Sequence, residues 1–489
     1  MIFLGIDLGA SALKTVLVRQ DGEMLAHAAM PITTQHDQAG WSEQNPQDWL
    51  TALENALAAL WQDNTMTPAQ IDAICLTAGA HIGVLGDENH TPVRPAIMWS
   101  DQRAASEIAE MAHQSEAIIK TSLHQPNPTW TLAHLRWLWV HEYDTLKKTR
   151  HLSPAKDWLR YQLTGDWATD PSDAVGLQLY DVDMRSWSLP LCALAGIIPD
   201  ILPPIKKPES LGGTITKQAA KKFHLHPDIP VYIGSIDTSI ELLNTGMNQA
   251  DEACLKLASA GVLSAYTPNA EAIPPISCYP QSGEGWYFAS GMNSCHSALK
   301  WMQHNRLNQC SQAQMQEWAQ AAPTGANGVL FHPYIQGERA PHWHAGLRVN
   351  ISGTTENTPA EDLARAAYEG VGLALYDVRL DFEQKLSAIR KQKINQLIAI
   401  GGGARDAIWM QIISDIQGLP IKVPHHIDAA YGAALFAGLS HRAYPNFSVL
   451  TNMIAYQTHY EPNMDNHLIY QGRFAAYDEI RAHMMAQLQ

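Results

Sequence analysis

The segment Gly5-Ile6-Asp7-Leu8-Gly9-Ala10-Ser11 puts a carboxylate at the end of an apolar run, directly ahead of a turn of small residues. Such a turn can bring backbone N–H groups against a phosphate, and glycine permits the close approach. A carboxylate beside a phosphate is tolerable when a divalent cation lies between them, which makes Asp7 a candidate ligand of Mg2+, reached through water. An ordinary hairpin turn reads from the same residues equally well. A second cluster, Gly401-Gly402-Gly403-Ala404, follows an apolar run and opens a helix-like stretch, where a ribose or phosphate can reach backbone N–H groups. Alone, such a triplet is as readily a plain loop. In Trp99-Ser100-Asp101-Gln102-Arg103 an aromatic face stands beside polar groups, a pattern suited to a polyhydroxylated ligand whose C–H faces stack while its hydroxyls seek acceptors. A core tryptophan beside an ion pair fits the same residues.

These groups need elements to hold them. Apolar runs at residues 2–6 and 13–18 and a third from Met24, with Asp21-Gly22 between the last two, predict a three-stranded antiparallel meander. Asn45-Pro46 opens a helix through Trp61, and residues 71–76 read as a buried strand. The order βββαβα suggests a ribonuclease-H-like core. The second half repeats the theme, with strands at 230–234 and 253–257, a helix at 363–380, a strand at 397–400 and a helix at 406–416. The boundary falls near Asn244 to Gln249. Trp130 to Trp139 has the spacing of a core or interface helix.

With 489 residues, one hydrophobic core is too small an account, and at least two domains are expected. The net charge of −15 argues against a broad nucleic-acid or anionic-membrane surface. The 6 cysteines form no C-x-x-C pair and read as buried reduced thiols. The 22 histidines are dispersed, with only His425-His426 adjacent, so a histidine metal cluster is not expected. MIFLGID enters a strand without a basic leader, and no apolar run nears the ~18 residues of a membrane span. A cytoplasmic location is the expectation, and a homodimer is left open.

Nine strings in order carry a resemblance: GIDLGAS at 5–11, WSEQNP at 41–46, AIMWSDQRA at 96–104, KDWLRYQLTGDWATDPSDAVGLQLYDV at 156–182, GSIDTS at 234–239, PYIQGERAPH at 333–342, AAYEGVGLAL at 366–375, IGGGARDAIWMQIISDIQGLPI at 400–421 and DAAYGAALFAG at 428–438. Together they resemble the FGGY carbohydrate kinases of the actin-like ATPase superfamily, over about residues 2 to 472, and among these the xylulokinase members most. The resemblance implies an α/β fold of two ribonuclease-H-like (actin-like ATPase) domains with a catalytic cleft between them. Residues 1–245 would form the sugar-binding domain and 246–489 the nucleotide-binding domain. It implies ATP- and Mg2+-dependent phosphorylation of a small sugar, a ketopentose such as D-xylulose. Another pentulose, a hexulose, a polyol or an aldonate is the alternative, as is a non-catalytic binding homologue.

Carried over by residue, the resemblance makes Asp237 the general base that accepts the sugar hydroxyl's proton. A helix N-cap is the bland alternative, since Thr238 and Ser239 come next in the chain. His81, Ile82, Trp99 and Asp101 would join Asp237 in binding the sugar. His81 is displaced by one position from the family's Met-His-Gly, which on an extended segment turns the imidazole to the other side and predicts looser selectivity. Gly9, Ser11 and Lys14 would meet the nucleotide with Ser259, Gly261, Gly402, Gly403 and Ala404, and Asp7 would serve the metal. Ala10 stands where the family usually has Thr, and Ala258 where its second phosphate loop has Gly. Glu338 and Arg339 read as structural. The small residues from Asp428 to Ala434 suggest a helix against which an adenine or another helix packs.

Overall fold

The Asp21-Gly22 signal and the alternation around it produce the expected meander. β1 (Ile2–Leu8), β2 (Ala12–Arg19) and β3 (Met24–Pro31) are antiparallel neighbours, and Gly22 turns the second hairpin at φ 90°. Asn45 then caps α1 (Pro46–Leu60), its side chain accepting from the Gln47 amide, with Pro46 set for the first turn. The computed structural model describes residues 1–62, 66–247, 249–389 and 393–488, so Asn248 of the expected boundary segment lies outside the described residues.

The chain forms two compact units, one of residues 1–246, 268–287 and 428–454, the other of residues 247–267, 288–427 and 455–489. In the first unit the sheet adds β4 (Ala73–Ala78), parallel to β1, then β5 (Leu211–Thr214) and β6 (Pro230–Ile236). The strand order is β5-β6-β4-β1-β2-β3. Leu4, Ile6 and Leu8 of β1 face a core shared with Trp49, Leu53 and Leu57 of α1. Phe3 faces the opposite side, toward the helix Ala429–Ser440. That helix is buried from Ala429 to Gly438 and lies so close that a Cβ on Gly5 would stand 1.9 Å from the Ala430 carbonyl oxygen. Its small residues serve contact with the sheet here and, at Gly432, with another helix, as the sequence suggested. α2 (Thr131–His141) buries Trp137 and leaves Trp139 at the surface.

The second unit has a mixed sheet as well. β7 (Glu252–Leu257) pairs antiparallel with β8 (Gly261–Thr267) and parallel with a strand at 396–400, which pairs in turn with a strand at 421–424. A 27-residue helix, Ala360–Leu386, and the helix Ala407–Gln417 pack in this unit. Both units are α/β, as the sequence predicts.

Candidate active site

In the first unit, Asp7 lies at the end of β1, opposite Lys14 in β2 and Thr77 in β4, and is 7% exposed. The turn after it is fixed from outside. Gln44 donates to the Ala10 carbonyl at 2.7 Å and the Ile32 amide to the Ser11 carbonyl at 2.9 Å, while Ala10 and Ser11 themselves are exposed. The Gly9 amide donates to the Ala12 carbonyl at 3.1 Å, so it closes the hairpin and is not the phosphate donor its sequence position suggests. The Lys14 ammonium meets the Asp428 carboxylate at 2.6 Å, with both side chains partly exposed. A carboxylate at a strand end, a hard oxygen donor, fits Mg2+, which keeps several waters and few protein ligands.

The sugar candidates separate. Trp99 is 37% exposed, and its indole lies over Gly79. Ile82 is buried in the core with Ile74 and Leu76 and offers no face to a ligand, contrary to expectation. Asp101 is likewise no ligand contact, being fully buried. Its oxygens accept from Arg103 Nε and Nη2 at 2.9 and 2.7 Å, from the Arg103 amide at 2.9 Å and from the Ser42 amide at 2.5 Å. Burial raises its affinity for a proton, but the Arg103 and amide hydrogen bonds outweigh this and hold the carboxyl below its ordinary range. Arg103 lies between Trp41 and Trp137, its guanidinium 3.7 and 5.0 Å from the ring centroids.

His81 adopts φ 65°, so the segment is not extended there and the imidazole is not simply reversed. The ring stacks on Trp130 at 4.5 Å and 3°. Nδ1 donates to the Gly176 carbonyl at 2.5 Å, and Nε2 pairs with the Tyr279 hydroxyl at 2.9 Å. Tyr279 stacks on Tyr287 at 5.6 Å. Burial pushes the Tyr287 hydroxyl well up, and the charges of Asp237 and Glu241 add to the effect. Nothing in the sequence marks Trp130, Tyr279 or the Gly176 carbonyl as site residues; the GLQLYDV string touches only the last.

Asp237 directly follows β6 and begins α3 (Asp237–Leu243). Its carboxylate accepts from the Thr238 amide at 2.6 Å and the Thr238 hydroxyl at 3.2 Å, and the residue is half-buried. A Cβ on Gly432 would stand 2.7 Å from the Ile240 carbonyl oxygen, so the small-residue helix also supports α3. Asp157, Asp170 and Asp173 bring oxygens within 4.8 Å of one another, yet the Lys156 ammonium already lies 2.8, 3.3 and 3.1 Å from them. A lysine fills the position a cation would take.

In the second unit the turn Ala258–Ala260 joins β7 to β8. The His296 amide donates to the Ala258 carbonyl at 3.0 Å, and the Cys295 amide and Ser297 hydroxyl to the Ser259 carbonyl at 2.9 and 2.8 Å. Ser259 is exposed at the tip. Gly261 is closely packed, since a Cβ would stand 3.0 to 3.2 Å from Leu375, Met292 and Cys295. Within the glycine triplet, Gly402 has open space at its Cβ position, while Gly403 would press Trp409 at 2.5 Å and Ala404 is buried. Gly402 is therefore the open point, and Gly403 and Ala404 support it from beneath. Glu338 is buried and accepts from the Asn293 and Arg339 amides at 2.5 and 2.8 Å. Burial pushes its carboxyl up to about 7.

Two α/β units, with an acid and a small-residue turn ending the first strand and glycine turns in the second unit, define a protein of the actin-like ATPase fold. Residues 2–244 match the N-terminal domain and residues 240–441 the C-terminal domain of the FGGY family of carbohydrate kinases. A xylulose kinase of Klebsiella pneumoniae is 30% identical over 442 residues, 89% of this chain and 89% of its own. A gluconokinase of Bacillus subtilis is 24% identical over 479 residues, 95% of this chain and 92% of its own. The crystal structure of a xylulose kinase from Rhodospirillum rubrum has a TM-score of 0.88 and 25% identity, covering 99% of both chains. The chain belongs to the FGGY family and is an enzyme, a carbohydrate kinase. Membership implies ATP as the phosphoryl donor. Among the described residues, no helix is long and apolar enough to cross a membrane.

Proposed function

We propose that the enzyme transfers the γ-phosphoryl group of ATP to a hydroxyl of a ketopentose such as D-xylulose. Asp237 takes the hydroxyl proton as the oxygen bonds to the γ-phosphorus and the bond to the ADP oxygen breaks. The observation that carries the reading is the Asp237 carboxylate at the first residue of α3, held by hydrogen bonds from Thr238 that fix its direction. The sugar is assigned to the first unit and the adenosine end of the nucleotide to the second.

Trp99 offers a stacking face, and His81 is oriented by Gly176 and Tyr279. A wall of aromatic rings and a hydroxyl without lysine or arginine suits an uncharged polyol more than the carboxylate of an aldonate. Lys14 would turn from Asp428 to the phosphates, and Gly402 would let the nucleotide approach the backbone. Mg2+, held by Asp7 through water, would neutralise phosphate charge. Steady-state ADP release on D-xylulose, its pentulose isomers, glycerol and gluconate tests the assignment. The highest kcat/KM is expected for a ketopentose, with measurable activity on a neighbouring sugar or polyol; glycerol or gluconate exceeding every ketose would overturn it.

A further inference from the structure

The ladder between β6 and β4 slips just before Asp237. Val231 and Tyr232 stand opposite Ile74 and Cys75, whereas Ser235 and Ile236 stand opposite Thr77 and Ala78. Ile233 and Gly234 thus share the place facing Leu76, a bulge that redirects the strand's last residues and Asp237 beyond them. Gly234 has φ 73°, and a Cβ there would stand 2.3 Å from the Leu76 carbonyl oxygen. Side chains bind the bulge at three points. Lys156 Nζ donates to the Ile233 carbonyl at 3.2 Å, Thr77 Oγ1 to the Ser235 carbonyl at 2.7 Å, and Ser235 Oγ to Asp170 Oδ2 at 2.9 Å. Lys156, Asp170 and Ser235 are all fully buried.

Lys156 also contacts Asp157, Asp170 and Asp173. Burial alone would favour loss of its proton, and the three carboxylates more than offset this, so the ammonium stays charged. Burial pushes the Asp173 carboxyl up, against the pull of Lys156. A buried ionic cluster of this kind is seldom a gain in stability over apolar side chains of similar volume, so stability is a weak reason for it. Its contacts with β6 fall two and four residues before Asp237.

We propose that Lys156, Asp170 and Ser235 are positioning residues that lock the bulge of β6 and thereby aim Asp237 at the sugar hydroxyl. This rests on the reading of Asp237 as the base. Misaiming a reacting group by a fraction of a bond length costs rate while leaving nucleotide binding alone.

The test is a kinetic cycle of Ser235→Ala, Asp237→Ala and the double variant, each checked for an intact melting transition, with D-xylulose and ATP as substrates. Ser235→Ala is expected to lower kcat about 5- to 30-fold with the KM for ATP within about twofold of wild type. In the Asp237→Ala background the same change should cost less than about twofold, because there is no carboxylate left to aim. Equal losses in both backgrounds, or an unchanged kcat in Ser235→Ala, would overturn the proposal. Failure of the underlying reading looks different: Asp237→Ala alone would keep more than about a third of wild-type kcat, against the ~10²-fold loss typical of a positioned base. Lys156→Met, where it folds, should match the Ser235→Ala pattern with a larger kcat loss, and a purely KM effect would count against the proposal.

Discussion

The hydroxyl of Tyr279 donates to Nε2 of His81 at 2.9 Å, joining residues 198 positions apart. With a neutral imidazole the direction is set by the other nitrogen, because Nδ1 faces the Gly176 carbonyl and then carries the ring proton. Tyr279→Phe removes this bond and keeps the aromatic stacking. The KM for the sugar should rise about three- to tenfold, the worth of one neutral hydrogen bond near ~1 kcal/mol, with the KM for ATP unchanged. Steady-state kinetics with each substrate varied would show it, and an unchanged sugar KM would remove His81 from the sugar site.

Neighbouring glycines should behave differently. Gly402 has nothing within 4 Å of its Cβ position, whereas Gly403 would meet Trp409 at 2.5 Å. Gly402→Ala is expected to leave the melting temperature within about 1 °C, as surface changes do, and to raise the KM for ATP. Gly403→Ala should lower the melting temperature by several degrees through overpacking. Thermal melts and ATP titration of the two variants separate packing from contact.

The Lys14–Asp428 pair is partly exposed on both sides, at 40% and 33%, so it adds little to stability. Lys14→Met should melt within about 2 °C of wild type, consistent with a pair worth at most ~1 kcal/mol, yet raise the KM for ATP at least about tenfold. A variant with normal ATP dependence would leave Lys14 a surface ion-pair residue.

Glu338 links stability to pH. Its carboxyl titrates at about 7 in the folded protein, pushed up chiefly by burial and pulled back by the Asn293 and Arg339 amides, against 4.5 for an ordinary glutamate. The folded chain therefore holds a proton that the unfolded chain releases, and stability falls as pH rises from about 4.5 to about 7 and stays reduced above it. Glu338→Gln escapes this loss. The melting temperature of Glu338→Gln relative to wild type should be more favourable at pH 8 than at pH 5, and a difference independent of pH would contradict the assignment.

Much of the fold was legible because short signals decide it locally. Asp21-Gly22 fixes a hairpin, and Asn45-Pro46 starts a helix, each through a handful of neighbouring residues. Gly5 shows the limit: it reads as part of a phosphate turn, while its lack of a side chain serves the Ala430 backbone, more than 400 residues away in sequence. His81 is legible as a candidate, but its left-handed backbone and its partners Trp130 and Tyr279 leave no mark in local alternation. Ile82 and Asp101 mislead because a motif records proximity in sequence, and burial then takes the first into the core and closes the second around Arg103. Lys156 lies inside a family string, yet charged residues are normally solvated, so nothing in the sequence announces a buried cluster behind β6.

The central claim is that Asp237 removes the proton from the attacking sugar hydroxyl. Asp237→Asn keeps the shape and the Thr238 contacts but cannot accept that proton, so ADP release with D-xylulose, measured at saturating ATP and sugar, tests it most directly. The account predicts that kcat falls at least about 10²-fold while the KM for ATP stays within about twofold. A variant retaining more than about a third of wild-type kcat would contradict it.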